Sequence, residues 1–259
     1  MIGKVITLII SVLIAALVSG NLGNPGAGLG SSEELEVPEA LASRSLTYGL
    51  DPWDVASVAL RNTVTVVVIA VGASVLLGSL CYLRFGKRAS FEALAYVPEY
   101  VYALLLYLLS WRFPWPSPLP GADPSKAAEY ALVIIMSECP KVAYVVSEGV
   151  EGREELKGVR LFWKAVGLDE RGVRSKLLLA SKWLLLAQFF NLTSLVLERS
   201  VLVEPLVGYW GVGEALCKAV TEADPQLAFS SFVAVAVSVI ALNALGEALV
   251  RRRLALGAA

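Results

Sequence analysis

The sequence contains no histidine and only three cysteines in 259 residues. Without histidine, the chain lacks the commonest general base and the commonest zinc ligand. Cys81, Cys139 and Cys217 are far apart and form no C-x-x-C pair, and the first two lie in apolar stretches. Such cysteines usually behave as small buried hydrophobic residues. The sequence therefore predicts no cysteine chemistry, no catalytic residue, no bound metal and no cofactor.

Charge is also scarce, at 17% of the residues, and the formal net charge is −1. Nucleic-acid-binding proteins need a basic surface, so nucleic acid is not an expected partner. Hydrophobic residues make up 56% of the chain and the mean hydropathy is +0.66, whereas soluble domains are about 45–50% apolar. This excess predicts a protein of the lipid bilayer. We see no internal repeat and no separate soluble part, so we expect one domain over residues 1–259.

Long apolar stretches divide the chain into candidate membrane spans. A helix needs roughly 20 mainly apolar residues to cross a bilayer, and six stretches come close to this length. They predict an all-α membrane protein with six transmembrane helices, at residues 4–19, 58–83, 91–110, 127–146, 177–203 and 226–250. The first stretch also fits a cleavable signal peptide, because Lys4 precedes an apolar run that ends near Ser19.

Basic residues are distributed unevenly among the loops between these spans. If alternate loops face the cytoplasm, 15 of the 22 Lys and Arg residues lie on that side and five lie outside. The positive-inside rule therefore predicts a multi-pass protein of the plasma membrane with both termini in the cytoplasm. Residues 148–182 then form the longest cytoplasmic loop, between spans four and five.

This loop has the pattern of two short helices. Residues 153–166 place apolar side chains at i, i+3 and i+4 spacings, which favours an amphipathic helix. Gly167 is suited to end that helix in a left-handed C-terminal cap. Asp169 is suited to the N-terminus of a second helix that runs through Lys176. From these residues alone, two interpretations stay open: a rigid cytoplasmic knob, or a basic interfacial helix held by anionic lipid.

The loop also resembles a known family motif. Its residues Lys164-Ala165-Val166-Gly167-Leu168-Asp169-Glu170 are similar to the R-A-K-G-L-S-E core of the EAA loop in permease subunits of dipeptide, oligopeptide and nickel ABC importers. Gly167 matches the hallmark glycine, and Val166 stands where a basic residue is usual. In that family the loop docks into a groove of the cytoplasmic ATPase. The resemblance implies a coupling loop over residues 148–176, with Lys164, Ala165, Gly167, Leu168, Asp169, Glu170 and Arg171 as its coupling residues.

Other fragments resemble the same family in the same order. They are Ser43-Arg44-Ser45-Leu46, Asn62-Thr63, Val97-Pro98, Pro140 with Ala143-Tyr144, Val203-Glu204, Gly211-Val212-Gly213, Asp224-Pro225, and Asn243 with Glu247. The last pair is similar to the B-type of the two permeases. The resemblance implies a second homologous permease subunit, two cytoplasmic ABC ATPase subunits and an extracellular substrate-binding protein as partners. It implies peptides as substrates, with nickel or sugars as alternatives.

Polar residues in span five are spaced regularly. Gln188, Asn191, Ser194 and Glu198 step by three, three and four positions. They therefore fall within an arc of roughly 120° on a helix, with Arg199 slightly outside it. Ionisable groups in a membrane usually face a bundle interior or a water-filled cavity, which makes these five residues candidates for a translocation path. The alternative is that they hydrogen-bond to neighbouring helices.

Span four contains one further pair of charges. Glu138 and Lys141 are three positions apart, so they lie on one face of a helix and can pair with each other. We expect this pair to be structural.

Two other classes of function compete with an importer subunit. A stand-alone secondary transporter or channel needs inverted repeats or broken helix pairs, which the sequence does not reveal. An intramembrane enzyme needs catalytic groups, and the chain offers no histidine and no carboxylate pair at catalytic spacing within one span. The sequence therefore favours a transport subunit without catalysis of its own.

Overall fold

The structure is a computed structural model that describes residues 45, 47–86, 89–112, 124–151 and 154–257. Over these residues the chain is all-helical, as predicted. The helices are α1 (Pro52–Phe85), α2 (Ala89–Ala95), α3 (Glu99–Arg112), α4 (Pro124–Glu151), α5 (Glu154–Ala165), α6 (Glu170–Ala180), α7 (Lys182–Val207), α8 (Val212–Thr221) and α9 (Pro225–Gly257).

Among the described residues, four helical stretches are long and apolar enough to cross a membrane. They are Pro52–Phe85, Ser125–Val150, Leu185–Val207 and Pro225–Leu249. These stretches correspond to predicted spans two, four, five and six, and they indicate a membrane-embedded protein. The predicted first span, residues 4–19, lies outside the described residues, so the count of six stays a prediction.

The predicted third span, residues 91–110, is not one helix. α2 ends at Ala95, residues 96–98 are non-helical, and α3 begins at Glu99. Pro98 gives the physical reason, because a proline has no N–H to donate and disfavours helical geometry in the residue before it. α3 has 14 residues, which is fewer than the roughly 20 that a span needs. The prediction of one continuous helix over residues 91–110 is therefore wrong, and a third membrane crossing in this stretch stays a prediction.

The fifth span also begins later than the predicted Leu177. Leu177 belongs to α6, where it is buried, and the chain turns at Ser181 before α7 starts at Lys182. The Ser181 N–H donates to the carbonyls of Leu177 and Leu178, at 3.0 and 3.1 Å, which closes the end of α6. The apolar run at the end of α6 continues into the span in sequence, so hydropathy alone places the boundary too early.

Helices α1 and α7 end at glycines with positive φ. α1 begins at Pro52 behind Asp51, whose carboxylate accepts from the Trp53 N–H at 2.8 Å, an arrangement that favours helix initiation. α1 stops at Gly86 (φ +66°), and α7 stops at Gly208 (φ +73°). Glycine adopts this left-handed backbone without the steric cost that a side chain adds.

The chain divides into two compact units. The described part of the first unit comprises residues 45, 47–66, 124–130 and 194–241. Its core contains a cluster of Val55 from α1, Ala219 from α8, and Leu227 and Ala228 from α9. Small buried residues let these helices approach closely, which is the usual way that membrane helices pack.

The described part of the second unit comprises residues 67–86, 89–112, 131–151, 154–193 and 242–257. Here α1 packs closely against α4, because a Cβ at Gly78 would lie 2.7 Å from the Val142 Cβ. α9 approaches α7 in the same way, since a Cβ at Gly246 would lie 2.9 Å from the Phe190 Cβ. Both contacts require a glycine at the crossing point.

Candidate functional site

Helices α5 and α6 form a helical pair around Gly167, within the second unit. α5 ends at Ala165, and Gly167 takes φ +92°. The N–H groups of Gly167 and Leu168 donate back to the carbonyls of Lys164 and Trp163, at 3.0 and 3.2 Å. This pattern satisfies the last carbonyls of a helix. The predicted left-handed glycine stop is confirmed.

Asp169 caps the N-terminus of α6. Its carboxylate accepts from the Gly172 N–H at 2.9 Å, and its own backbone is extended (φ −65°, ψ 164°). A side-chain acceptor at this position satisfies one of the free N–H groups of the first turn. The predicted start of the second helix is therefore confirmed at Asp169.

Glu170 joins the two helices from its place at the start of α6. It pairs with Lys164 and, at 3.3 Å, with Arg160, both from α5. The hydrogen bond from Lys164, followed by that from Arg160, holds the pKa of the Glu170 carboxyl below its ordinary value. Lys176 adds a contact over the Trp163 ring, 5.6 Å from its centroid. Each exposed ion pair of this kind contributes little to the stability of the fold. Together these contacts link α6 to α5 and favour one orientation of the two helices.

The other predicted coupling residues lie on the surface of this helical pair. Ala165 and Arg171 are exposed, and Leu168 is half-buried. Nearby on α5, Leu161 and Phe162 are 68% and 59% exposed. An apolar surface on a charged helical pair is typical of a site that a protein or a membrane surface covers.

One face of α6 is fastened to the end of α1. Val173 and Leu177 are buried, and the Arg174 guanidinium donates to the carbonyl of Leu83 at 3.1 Å. That guanidinium lies over Gly86, where a Cβ would be only 2.9 Å from the Arg174 Cζ. Arg174 thus hydrogen-bonds a carbonyl in the last turn of α1, a position where side chains commonly satisfy helix carbonyls. This contact was not predicted, because the motif around Gly167 does not reveal which helix it packs against.

The five candidates for a translocation path all lie on α7, with different exposure. Asn191 and Glu198 are exposed, Gln188 and Arg199 are half-buried, and Ser194 is buried at 2%. The side chains therefore do not share one environment.

Thiol labelling distinguishes a water-filled path along α7 from a surface of α7 that faces lipid. We expect cysteines at Asn191 and Glu198 to react with a small hydrophilic maleimide, because both positions are exposed and a path contains water. Cysteines at Leu192 and Val196, which are 6% and 1% exposed, are the matched controls and should stay protected. If Asn191→Cys and Glu198→Cys are also unreactive, they face lipid or packed protein, and the path assignment is wrong.

The predicted Glu138–Lys141 pair is present on α4. The Lys141 Nζ lies 2.5 Å from Glu138 Oε1. It also lies 3.8 Å from Glu99 Oε1, at the start of α3. Glu138 and Glu99 are both buried, so one lysine serves two buried carboxylates. The second partner could not be predicted from helical spacing, since it comes from another helix.

A buried carboxylate in the first unit joins two of the sequence fragments, Val203-Glu204 and Gly211-Val212-Gly213, and this contact was not predicted. Glu204, near the end of α7, is fully buried. Its Oε1 accepts from the Thr63 hydroxyl at 2.6 Å, and its Oε2 accepts from the Gly213 N–H at 2.7 Å. The Thr63 oxygen in turn accepts from the Val212 N–H at 2.9 Å. Glu204 and Thr63 therefore satisfy the first N–H groups of α8, which helix geometry leaves free.

Two glycines make room for this network. A Cβ at Gly211 would overlap the Thr63 hydroxyl and both oxygens of Glu204. A Cβ at Gly213 would overlap the backbone of Ser200 on α7. A glutamate within an apolar run, followed by two closely spaced glycines, is the sequence signal that could have indicated this network.

A second carboxylate in the first unit fixes the start of α9. Asp224 accepts from the Ser45 hydroxyl, from the Thr47 N–H at 3.1 Å and from the Leu227 N–H at 3.1 Å. Burial raises the pKa of Asp224, but the hydrogen bonds outweigh that effect and hold it below the ordinary value. The first described residues of the chain are thereby attached to α9.

No family model matches this chain, and no curated protein matches it. Within the described ranges, no cluster of three or more potential metal-ligating residues is present. The function is therefore inferred from the geometry and from the sequence motifs.

Proposed function

We propose that the chain is the permease subunit of an ATP-driven ABC importer, most similar to the B-type subunit of peptide importers. The observation that carries the proposal is the α5–Gly167–α6 helical pair, with its left-handed glycine, its capped second helix and its exposed apolar residues. A passive membrane anchor has no need of such a structured pair. Peptides are the proposed substrates, with nickel or sugars as alternatives.

The attachment of α6 to α1 supports a role in coupling. A partner can shift a transporter between two states only through contacts that differ between those states. Arg174 contacts Leu83 and Gly86 at the end of α1. A displacement of the helical pair would therefore be transmitted directly to α1, which is long enough to span the membrane. The same residues would be superfluous in a helix that merely lies on lipid.

The proposed partners follow from the motif. A second homologous permease would complete the translocation path. Two cytoplasmic ABC ATPase subunits would bind the helical pairs of the two permeases, and an extracellular binding protein would deliver the substrate. The proposed orientation places both termini and residues 148–182 in the cytoplasm of a plasma-membrane protein, on the strength of the distribution of basic residues.

The test is a comparison of two glycines in the helical pair. Gly167→Ala is expected to abolish co-purification of ATPase subunits from the native membrane, because a side chain at φ +92° costs about 1–2 kcal/mol and distorts the turn. Gly158→Ala is the matched control, since Gly158 lies within α5 and a Cβ there meets nothing within 4 Å. It should leave the association intact and favour the helix by about 1 kcal/mol.

Both variants are purified in mild detergent, and the associated proteins are identified by mass spectrometry and by vanadate-sensitive ATP hydrolysis. If no ATPase co-purifies with the unsubstituted chain, the proposed function is wrong. If Gly167→Ala and Gly158→Ala retain the ATPase equally, the importer proposal stands but the turn at Gly167 has no part in docking.

The second candidate is a stand-alone secondary transporter. The interruption at residues 96–98 favours it, because such transporters build their sites from broken helices. Uptake by purified chain in vesicles, driven by an ion gradient without ATP or any partner, would support this candidate over an importer subunit.

A further inference from the structure

Two cysteines that are far apart in the sequence lie side by side in the second unit. Cys81 on α1 and Cys139 on α4 are neighbours, with their thiols within interaction range of each other. Both are free and half-buried. No sequence pattern indicates that they pair, since they lie in different apolar stretches without a recognisable motif.

The crossing of α1 and α4 explains why the thiols meet. A Cβ at Gly78 would lie 2.8 Å from the Cys139 carbonyl oxygen and 2.7 Å from the Val142 Cβ. The two backbones therefore approach about as closely as membrane helices can, through a small residue at the contact. Cys81 is one helical turn beyond Gly78, next to this crossing. A disulfide needs Cα atoms within about 7 Å of each other, and only such a close crossing offers that separation between two helices.

We propose that Cys81 and Cys139 are a modification site: a dithiol that a membrane-permeant two-electron oxidant converts into an intrachain disulfide between α1 and α4. The third cysteine, Cys217, belongs to α8 in the first unit. It takes no part in the modification and serves as an internal reference.

The chemistry is balanced with an azodicarboxamide such as diamide as the oxidant. One thiol adds across the N=N bond, forming an S–N bond and placing its proton on the second nitrogen. The neighbouring thiol then attacks that sulfur, the S–S bond forms as the S–N bond breaks, and its proton passes to the departing nitrogen. Two electrons and two protons thus move from the thiols to the reagent, which leaves as the hydrazine.

The position of the pair determines when it would be oxidised. Cys81 lies three residues before Arg84, in the last turns of α1, at the end that the charge distribution assigns to the cytoplasm. Glutathione and thioredoxin keep cytoplasmic thiols reduced. The disulfide therefore forms on exposure to an oxidant and is reversed by thiol exchange when the oxidant is removed.

The experiment counts thiols in the purified full chain before and after treatment with diamide. The unfolded protein is alkylated with a maleimide and weighed intact by mass spectrometry. We expect three alkylated cysteines before treatment, one after it, and three again after dithiothreitol. A protease digest should yield one linked peptide pair that contains Cys81 and Cys139, on a chain that remains monomeric in a non-reducing gel.

Single substitutions provide the matched controls. Cys139→Ser should show two reactive cysteines both before and after diamide, because the partner thiol is gone. Cys217→Ser should fall from two to none, because the pair is intact. Retention of three thiols in the unsubstituted chain, a linked peptide that includes Cys217, or a disulfide-bonded dimer would each overturn the proposal. These readouts use the unsubstituted chain, so they hold even if a serine variant does not fold.

Discussion

Gly213→Ala is expected to be among the most destabilising single-methyl additions in this chain, at about 3 kcal/mol. The added Cβ would overlap the Ser200 carbonyl and lie 2.8 Å from the Val201 Cα. These are backbone atoms of α7, which cannot rotate away as the end of a flexible side chain would. We expect α8 to be displaced from α7, with a lower melting temperature in detergent and a lower yield of monodisperse protein.

The matched control is Gly72→Ala, which adds the same methyl group within a membrane-spanning helix. A Cβ at Gly72 would meet only the Phe189 ring, at an ordinary distance of 3.9 Å. This variant should melt at the unsubstituted temperature or slightly above it, because alanine is the better helix former. Equal melting temperatures for Gly213→Ala and Gly72→Ala would show that α8 does not pack on α7 as described.

Glu204→Ala is expected to cost about 3 kcal/mol through a different mechanism. Removal of the carboxylate leaves the Gly213 N–H buried without an acceptor, and it leaves the Thr63 hydroxyl only its longer hydrogen bond to the Ala59 carbonyl, at 3.2 Å. Each buried group that loses its partner costs about 1–3 kcal/mol. Glu204→Gln should have a smaller effect, since its amide oxygen can still accept one of the two hydrogen bonds while its NH₂ group faces the other donor.

Thermal unfolding in detergent and hydrogen exchange of the α8 amides measure this effect. The amides of Val212 and Gly213 should exchange faster in Glu204→Ala, because they lie in the network that Glu204 anchors. Glu222→Ala is the control: it removes the same charge from an exposed position in the same unit. If Glu204→Ala and Glu222→Ala melt at the same temperature, the buried network contributes nothing to stability.

The structural features that could be predicted are those determined by residues that lie close together in the sequence. Gly167 and Asp169 shape the turn between α5 and α6 through contacts that reach at most a few residues along the chain. The Glu138–Lys141 pair is fixed by helical spacing. Three of the helices that are able to cross a membrane, α1, α4 and α9, contain the predicted spans because hydropathy is a property of the local sequence.

Prediction fails where hydropathy over a long stretch does not register a local feature of the helix. Pro98 interrupts the third apolar stretch, and hydropathy averaged over that stretch obscured the break. α8 lies between predicted spans five and six, and Val212, Ala215 and Ala219 give it a buried face at helical spacing. Its ten residues are too few to be recognised as a span, and its apolar face alone does not show what it packs against.

By itself, the sequence determined an all-helical membrane protein with a capped helical pair at its basic loop, because hydropathy, caps and glycine turns act over a few residues. Only the tertiary structure decided the partners of the buried polar groups. Glu204 meets Thr63 across 141 positions, and Asp224 meets Ser45 across 179. A carboxylate in an apolar helix must find donors, but any hydroxyl or free N–H could have served. The choice follows from which helices cross at that point, and this depends on the packing of the whole unit.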